Sequence, residues 1–265
     1  ISSIFRYAAE MEWIDSNPLA KRLVSSRLPK AEKQDKPMLS ADEMNQIFSS
    51  PKFLAERDSL RERARGEARF WVPFLCLFHG FRTNEVCQLL VADVKREEGI
   101  DFLHLRETDD EGEKVKQFKT KASRRKVPLH DELIRIGFLG FVESRREAGE
   151  ICLFPSLEAN RRGSKAGSVG KWFGRLRKEL LTDLPKMQGA KGLHSLRHSF
   201  ARACRDQGIQ QEIIWALGGW TGERRRNAEA DYGSGYGLKT LKEAIDKIEY
   251  PGVDFASLYP KVEGQ

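Results

Sequence analysis

Residues 191–204 read KGLHSLRHSFARAC. Gly192 leads into a run with helical apolar spacing, and the start of that run carries His194, Arg197 and His198. Side chains three and four apart share a helix face, so these groups meet. Three arrangements suit them. His194 and His198 could grip a metal, but the zincin pattern needs Glu directly after the first His, and Ser195 stands there. His194 and Arg197 suit an anion, because a helix N-terminus adds partial positive charge of its own. The plain structural alternative pairs Arg197 with a carboxylate and lets His194 cap the helix. Taken by itself, the stretch favours that alternative.

The whole chain sets the bounds. Its 265 residues suffice for one large domain, or a domain with an extension, and 40% hydrophobic content suffices for a core. The formal net charge is +7, a moderate excess that hints at a polyanionic partner and equally fits a solvated basic surface. Cys76, Cys87, Cys152 and Cys204 form no CxxC pair, which fits reduced structural thiols in a cytoplasmic protein. There is no apolar run long enough to span a membrane and no signal peptide. The chain opens at Ile1, already inside a helical pattern, which implies a fragment with its upstream part missing.

The periodicities divide the chain into segments. Apolar residues at helical spacing predict a helix over 1–15, ended by "SNP". Residues 19–38 form a basic interdomain linker. Ser40 with Glu43 three residues on marks a helix start by a capping box. "EARFWVPFLCLFH", 67–79, is apolar nearly all round and reads as a buried central helix. Residues 93–128 alternate in short runs, "FLHLRE", "KVKQFKT" and "RKVPL", and predict a small antiparallel sheet. Helices follow at about 131–148, 168–183, 194–207 and 210–217, with a final amphipathic helix at 238–249 and a tail over 251–265. The fold class is mainly α with a small antiparallel β-sheet.

Further basic residues recur around the turns. Arg82 follows the Gly80 turn directly off the apolar helix, with Glu85 three residues later. A charge in so apolar a setting needs a partner, either Glu85 or a phosphate. Lys119 and Lys121 stand at a hairpin tip flanked by Arg124, Arg125 and Lys126. Trp220 follows two glycines, and Tyr232 follows the charged loop that holds Arg224, Arg225 and Arg226.

This order, Arg, Lys, His-x-x-Arg, Trp, Tyr, resembles the tyrosine recombinase (phage integrase) family. "GFRTNEVCQLLVADV", "KTKASRRKVPL", "LHSLRHSFA" and "YGSGYGLKTLKEAIDKIEYPG" are similar to its successive motifs. The resemblance covers roughly residues 39–250, the family's catalytic domain, and 1–18 resembles the last helix of its core-binding domain. It implies that Arg82 and Arg197 clamp a phosphate, that Glu85 holds Arg82, and that His194 assists proton transfer. For Trp220 the resemblance implies a hydrogen bond to the phosphate, and the plain alternative is a core side chain. By the same resemblance Lys119, with Lys121 as its competitor, is the implied donor of a proton to the leaving group. Tyr232 is the implied nucleophile, with Tyr236 the alternative where the spacing from Trp220 is longer than usual.

The implied reaction is attack of a tyrosine oxygen on a DNA phosphorus, giving a 3′-phosphotyrosine and a free 5′-hydroxyl with neither metal nor cofactor. Two guanidiniums can supply the charge stabilisation that nucleases often draw from metals. Double-stranded DNA is the expected partner, contacted by the linker, by Arg124, Arg125 and Lys126 and by Arg224–Arg226, with a homotetramer exchanging strands. A type IB topoisomerase-like enzyme and a non-catalytic DNA-binding protein are the competing readings.

Overall fold

The computed structural model describes residues 2–18, 38–58, 66–109, 111–113, 115–116, 123–161, 163–181, 192–220 and 235–260. The chain divides into two compact units, Ile1–Lys36 and Pro37–Gln265.

In the first unit, helix α1 spans Ser2–Glu10 and stops short of the predicted residue 15. The reason is a local stop. Glu12 takes a left-handed φ of 57°. Its N–H bonds the Ala9 carbonyl at 3.2 Å, while the Trp13 N–H reaches back to Ala8 at 2.8 Å. The Tyr7 and Trp13 rings meet edge to face, 5.9 Å apart, the apolar contact that accompanies this kind of helix end. Nearly all of the basic linker, 19–37, lies outside the described residues.

The second unit begins with α2, Ala41–Phe48, and its predicted capping box forms: Ser40 Oγ accepts from the Glu43 N–H at 3.2 Å, and Glu43 Oε2 accepts from the Ser40 N–H at 2.7 Å. Helix α3 spans Pro51–Asp58 and α4 spans Gly66–His79. Every residue of α4 except Arg69 is buried. A helix apolar on all sides can be satisfied only at the centre, with other elements around it. The rings of Phe48, Phe53, Phe70 and Phe74 pack on one another at 4.9 to 5.6 Å and join α2 and α3 to α4.

After α4 come the single turn α5, Thr83–Val86, and a three-stranded antiparallel sheet in the order β1 (Val94–Glu97), β2 (Ile100–Leu105), β3 (Arg125–Pro128). Leu103 lies opposite Val94 on one side and Val127 on the other. The runs "FLHLRE" and "RKVPL" thus supply β2 and β3. The remaining strand is β1, and most of "KVKQFKT" lies outside the described residues. The predicted helix over 131–148 is two helices, α6 (Asp131–Arg135) and α7 (Phe138–Glu147). They part at Gly137, whose φ of 104° no helix interior tolerates.

Helices α8 (Gly167–Leu180), α9 (Leu193–Asp206) and α10 (Gln211–Gly218) follow, and α9 lies along α4. Helix α11, Leu238–Ile245, buries Leu238, Leu241, Ala244 and Ile245 and packs on β3 of its own chain. Of the tail over 251–265, residues 251–260 are described, and they pack on the core through Phe255 and Leu258. The tilted rings of Phe255 and Phe78 pack 5.1 Å apart, and Asn45 Nδ2 donates to the Gly252 carbonyl at 2.7 Å.

The turn that leaves α4 depends on Gly80. Its φ is +62°, and a Cβ there would lie 2.3 Å from the Phe200 ring of α9. Gly208 has a similar φ of +67° with open space around it. Gly80→Ala should therefore lower the unfolding free energy by roughly 2–4 kcal/mol, from backbone strain plus overpacking, against about 1 kcal/mol for Gly208→Ala. Urea unfolding of both variants checks this, and equal losses would show that the Phe200 contact is irrelevant.

Candidate active site

Two short segments build the centre of the site. The chain leaves Gly80 and reaches Arg82 at the N-terminus of α5, so Glu85 falls at its third helical position. From there the carboxylate reaches back. Glu85 Oε2 accepts from the Arg82 backbone N–H at 3.0 Å, and Oε1 accepts from Arg82 Nη1 at 2.6 Å. The same Nη1 donates to Ser123 Oγ at 3.0 Å, and Nη2 donates to the Gly219 carbonyl at 3.2 Å. Arg82 thereby touches α5, the arm before β3 and the turn after α10.

Arg197 arrives from α9. Its side chain is buried, it donates through Nη1 to the Gly80 carbonyl, and its guanidinium carbon lies 4.0 Å above the Trp220 ring. The Trp220 ring also stacks on Phe200, 6.2 Å away and tilted by 22°. Gly218 is what lets the indole fold back, since a Cβ there would overlap it at 1.8 Å. A cation desolvated over an indole face gains about 2 kcal/mol. Trp220 is thus both core, against Phe200, and a platform for Arg197.

Arg82 and Arg197, far apart in sequence, come together on the Gly219–Trp220 segment. Burial and the like charge of Arg82 pull the Arg197 pKa down to about 9, with Glu85 partly opposing them. At neutral pH it remains a cation. Burial pushes the Glu85 carboxyl up, but Arg125 and Arg82 outweigh it, and the net position is below the usual carboxylate value. Arg82, Arg125 and Arg197 crowd around this one carboxylate, so the cluster carries excess positive charge that an oxyanion would relieve.

His194 and His198 lie at the start of α9, with His194 exposed and His198 half-buried. Their rings meet edge to face at 4.7 Å. Gly192, not His194, occupies the cap position of α9. Among the described residues no group of three or more His, Cys, Asp or Glu is arranged to hold a metal, and no helix is long and apolar enough to cross a membrane.

Some sequence-predicted residues fall elsewhere. Lys119, Lys121, Tyr232 and Arg224, Arg225 and Arg226 lie outside the described residues. Lys116, three residues before Lys119, is buried on Asp93. Tyr236 lines a cleft of about 490 Å³ together with Arg125 and Trp220. Arg124 and Lys126 are exposed on the sheet and pair with Glu107 and Glu97.

Arg125 does not match the exposed role expected of it. Its side chain is 8% exposed and pairs with Glu85. The alternation of β3 explains this, since Arg125 shares the inward face with buried Val127 while Lys126 faces out. Ser123, buried between Arg82 and Arg125, is not singled out by the sequence; nothing but the fold identifies it.

If the cluster holds an oxyanion, inorganic phosphate should stabilise the protein more than chloride at matched ionic strength. At ten times its Kd the gain is about 1.4 kcal/mol, or roughly 3–6 °C in Tm. The phosphate-specific increment should vanish in Arg82→Ala; an undiminished increment in that variant would place the anion elsewhere.

Known proteins bear on this geometry. The sequence model of the Phage integrase family matches residues 37–225. No curated protein matches the chain at the sequence level. Among solved structures, the integrase from mycobacterium phage Brujita is similar at 14% identity, covering 98% of this chain and 74% of that one with a TM-score of 0.53. A lambda integrase dimer bound to a COC′ core site is similar at 20% identity, over 88% of this chain and 73% of that one, with a TM-score of 0.51. The Tn1549 transposon integrase in complex with a circular intermediate DNA is similar at 20% identity, over 83% and 69%, with a TM-score of 0.55. At these identities the likeness speaks for the fold. With most of its length matched by the family's sequence model, and with the mainly helical, small-sheet architecture of solved integrases, this chain belongs to the phage integrase family.

Proposed function

We propose that this chain is the catalytic part of a site-specific DNA recombinase, the integrase of a mobile element, which cuts and rejoins DNA through a 3′-phosphotyrosine. The observation that carries this reading is the convergence of Arg82 and Arg197 on the Gly219–Trp220 segment, with Arg82 held there by Glu85. Family membership supports it, as do DNA-bound relatives such as the lambda and Tn1549 integrases.

In the proposed step the Tyr232 oxygen attacks a backbone phosphorus and the bond to the 5′-oxygen breaks. Two guanidinium forks hold the non-bridging oxygens as negative charge grows on them. A free tyrosine has a pKa of about 10, so at neutral pH only a small fraction is ionised. His194, exposed at the helix start, takes the phenolic proton. Lys119 delivers one to the departing 5′-oxygen. The phosphotyrosine conserves the ester, so a second 5′-hydroxyl can reverse the step without ATP. The partner is double-stranded DNA, and strand exchange is performed by four copies of the protein.

The test works without a defined target sequence. A library of nicked duplexes of random sequence, incubated with the protein and recovered under denaturing conditions, should yield a covalent adduct. Tyr232→Phe should abolish it and Tyr236→Phe should preserve it. Arg82→Ala should reduce its rate by about 10²–10³-fold. Wild-type protein that forms no adduct, or an adduct that survives Tyr232→Phe, sinks the assignment. Exchange of strands between two duplexes then separates a recombinase from an enzyme that only relaxes DNA.

A further inference from the structure

We propose that Arg125 is a positioning residue for strand cleavage, acting through Glu85 and Ser123, and is not a contact to DNA. This deepens the recombinase reading and rests on it. Three of the guanidinium's donors are directed inward. Nε donates to the Leu217 carbonyl at 2.7 Å, Nη1 to the Ser123 carbonyl at 2.9 Å, and Nη2 to Glu85 Oε2 at 3.2 Å. The flat of the group lies 5.1 Å from the Phe81 ring centroid. These anchors belong to the last turn of α10, the arm leading into β3, helix α5 and the turn after α4.

One side chain therefore ties together the segments that hold Arg82 in place: α5, the arm before β3, the turn after α4 and the end of α10. Glu85 presents Oε1 to Arg82 and Oε2 to Arg125. Ser123 presents its hydroxyl to Arg82 and its carbonyl to Arg125. Leu217 lies two residues before Gly219, whose carbonyl also receives Arg82. A planar fork with fixed donor directions can bridge these acceptors at once; an ammonium on a flexible stem cannot reproduce the pattern. The neighbouring Arg124 and Lys126 have side chains 59% and 41% exposed, against 8% for Arg125, so contact with a phosphate backbone falls to them.

The arrangement has an electrostatic consequence. Glu85 is faced by Arg82 ahead of its own helix, by Arg125 from β3, by Arg197 from α9 and by the buried Cys76 thiol from α4. Burial works to protonate it, and the Arg125 charge is the leading influence the other way. Without that charge Glu85 takes up its proton at a higher pH and releases Arg82. The acid limb of cleavage should then move to higher pH.

Arg125→Gln, Arg125→Lys and, as the surface comparison, Arg124→Gln separate the possibilities on a nicked duplex recovered from the library. The measurements are the adduct rate at saturating DNA, its pH profile, the Kd and its salt slope. Circular dichroism establishes that each variant is folded. Arg125→Gln should slow cleavage by about 10–100-fold with Kd and salt slope unchanged, and shift the acid limb upward. Arg125→Lys should also cleave slowly but keep the acid limb near that of wild type, because it keeps the charge and loses the fork. If Arg125→Gln does not fold, Arg125→Lys decides: a wild-type rate overturns the inference. A salt slope reduced by about one with an unchanged saturated rate would make Arg125 a phosphate contact and overturn it too. Absence of any wild-type adduct instead removes the recombinase reading, and this inference with it.

Discussion

The Glu85 carboxylate, 3% exposed, is the point on which the site turns. A carboxylate sunk that deep is tolerated only when cations and donors meet it. Arg82 meets one oxygen and Arg125 the other. The two arginines in turn need Glu85, since like guanidiniums gathered in one region repel. This mutual requirement fixes the distance between α5 and β3, and so the position of the arm that leads into β3. Removing Glu85 leaves two like charges facing one another, and removing either arginine takes a guanidinium away from the buried carboxylate.

Arg197 satisfies its own burial differently. It stands on the Trp220 face and donates to the backbone of Gly80. Phe200, on the same helix, packs both beneath Trp220 and against Gly80. The turn after α4, the start of α9 and the turn after α10 are thereby locked to one another by contacts that need no carboxylate. Among the described residues no carboxylate bonds this guanidinium, and Glu85 offsets its charge only in part. A cation held rigidly in this way is suited to meet an oxyanion without rearranging.

Legibility in the sequence followed the range of each interaction. The capping box at Ser40, the i,i+3 relation of Arg82 and Glu85, and the central place of α4 could all be read, because each is local or compositional. The end of α1 at Glu10 could not, since a left-handed Glu12 carries no residue signal of the kind glycine provides. The burial of Arg125 does have a signal, though a masked one. In "RRKVPL" the two-residue period of a strand places Arg125 with Val127, and Val127 belongs inside. A run of basic residues conceals that period by inviting one role for all of them.

The amino-acid order alone therefore determined the mainly helical class with its small antiparallel sheet, the buried central helix and the motif order that marks the family. These follow from periodicity, apolar content and residue identity, which the chain carries wherever it folds. The tertiary structure alone decided which basic side chains face inward, that Trp220 meets both Arg197 and the core ring of Phe200, that Ser123 bridges two arginines, and that Phe255 packs into the core. Those outcomes depend on distances between segments remote in sequence, and such distances exist only once the hydrophobic core has set where each helix end and strand must lie.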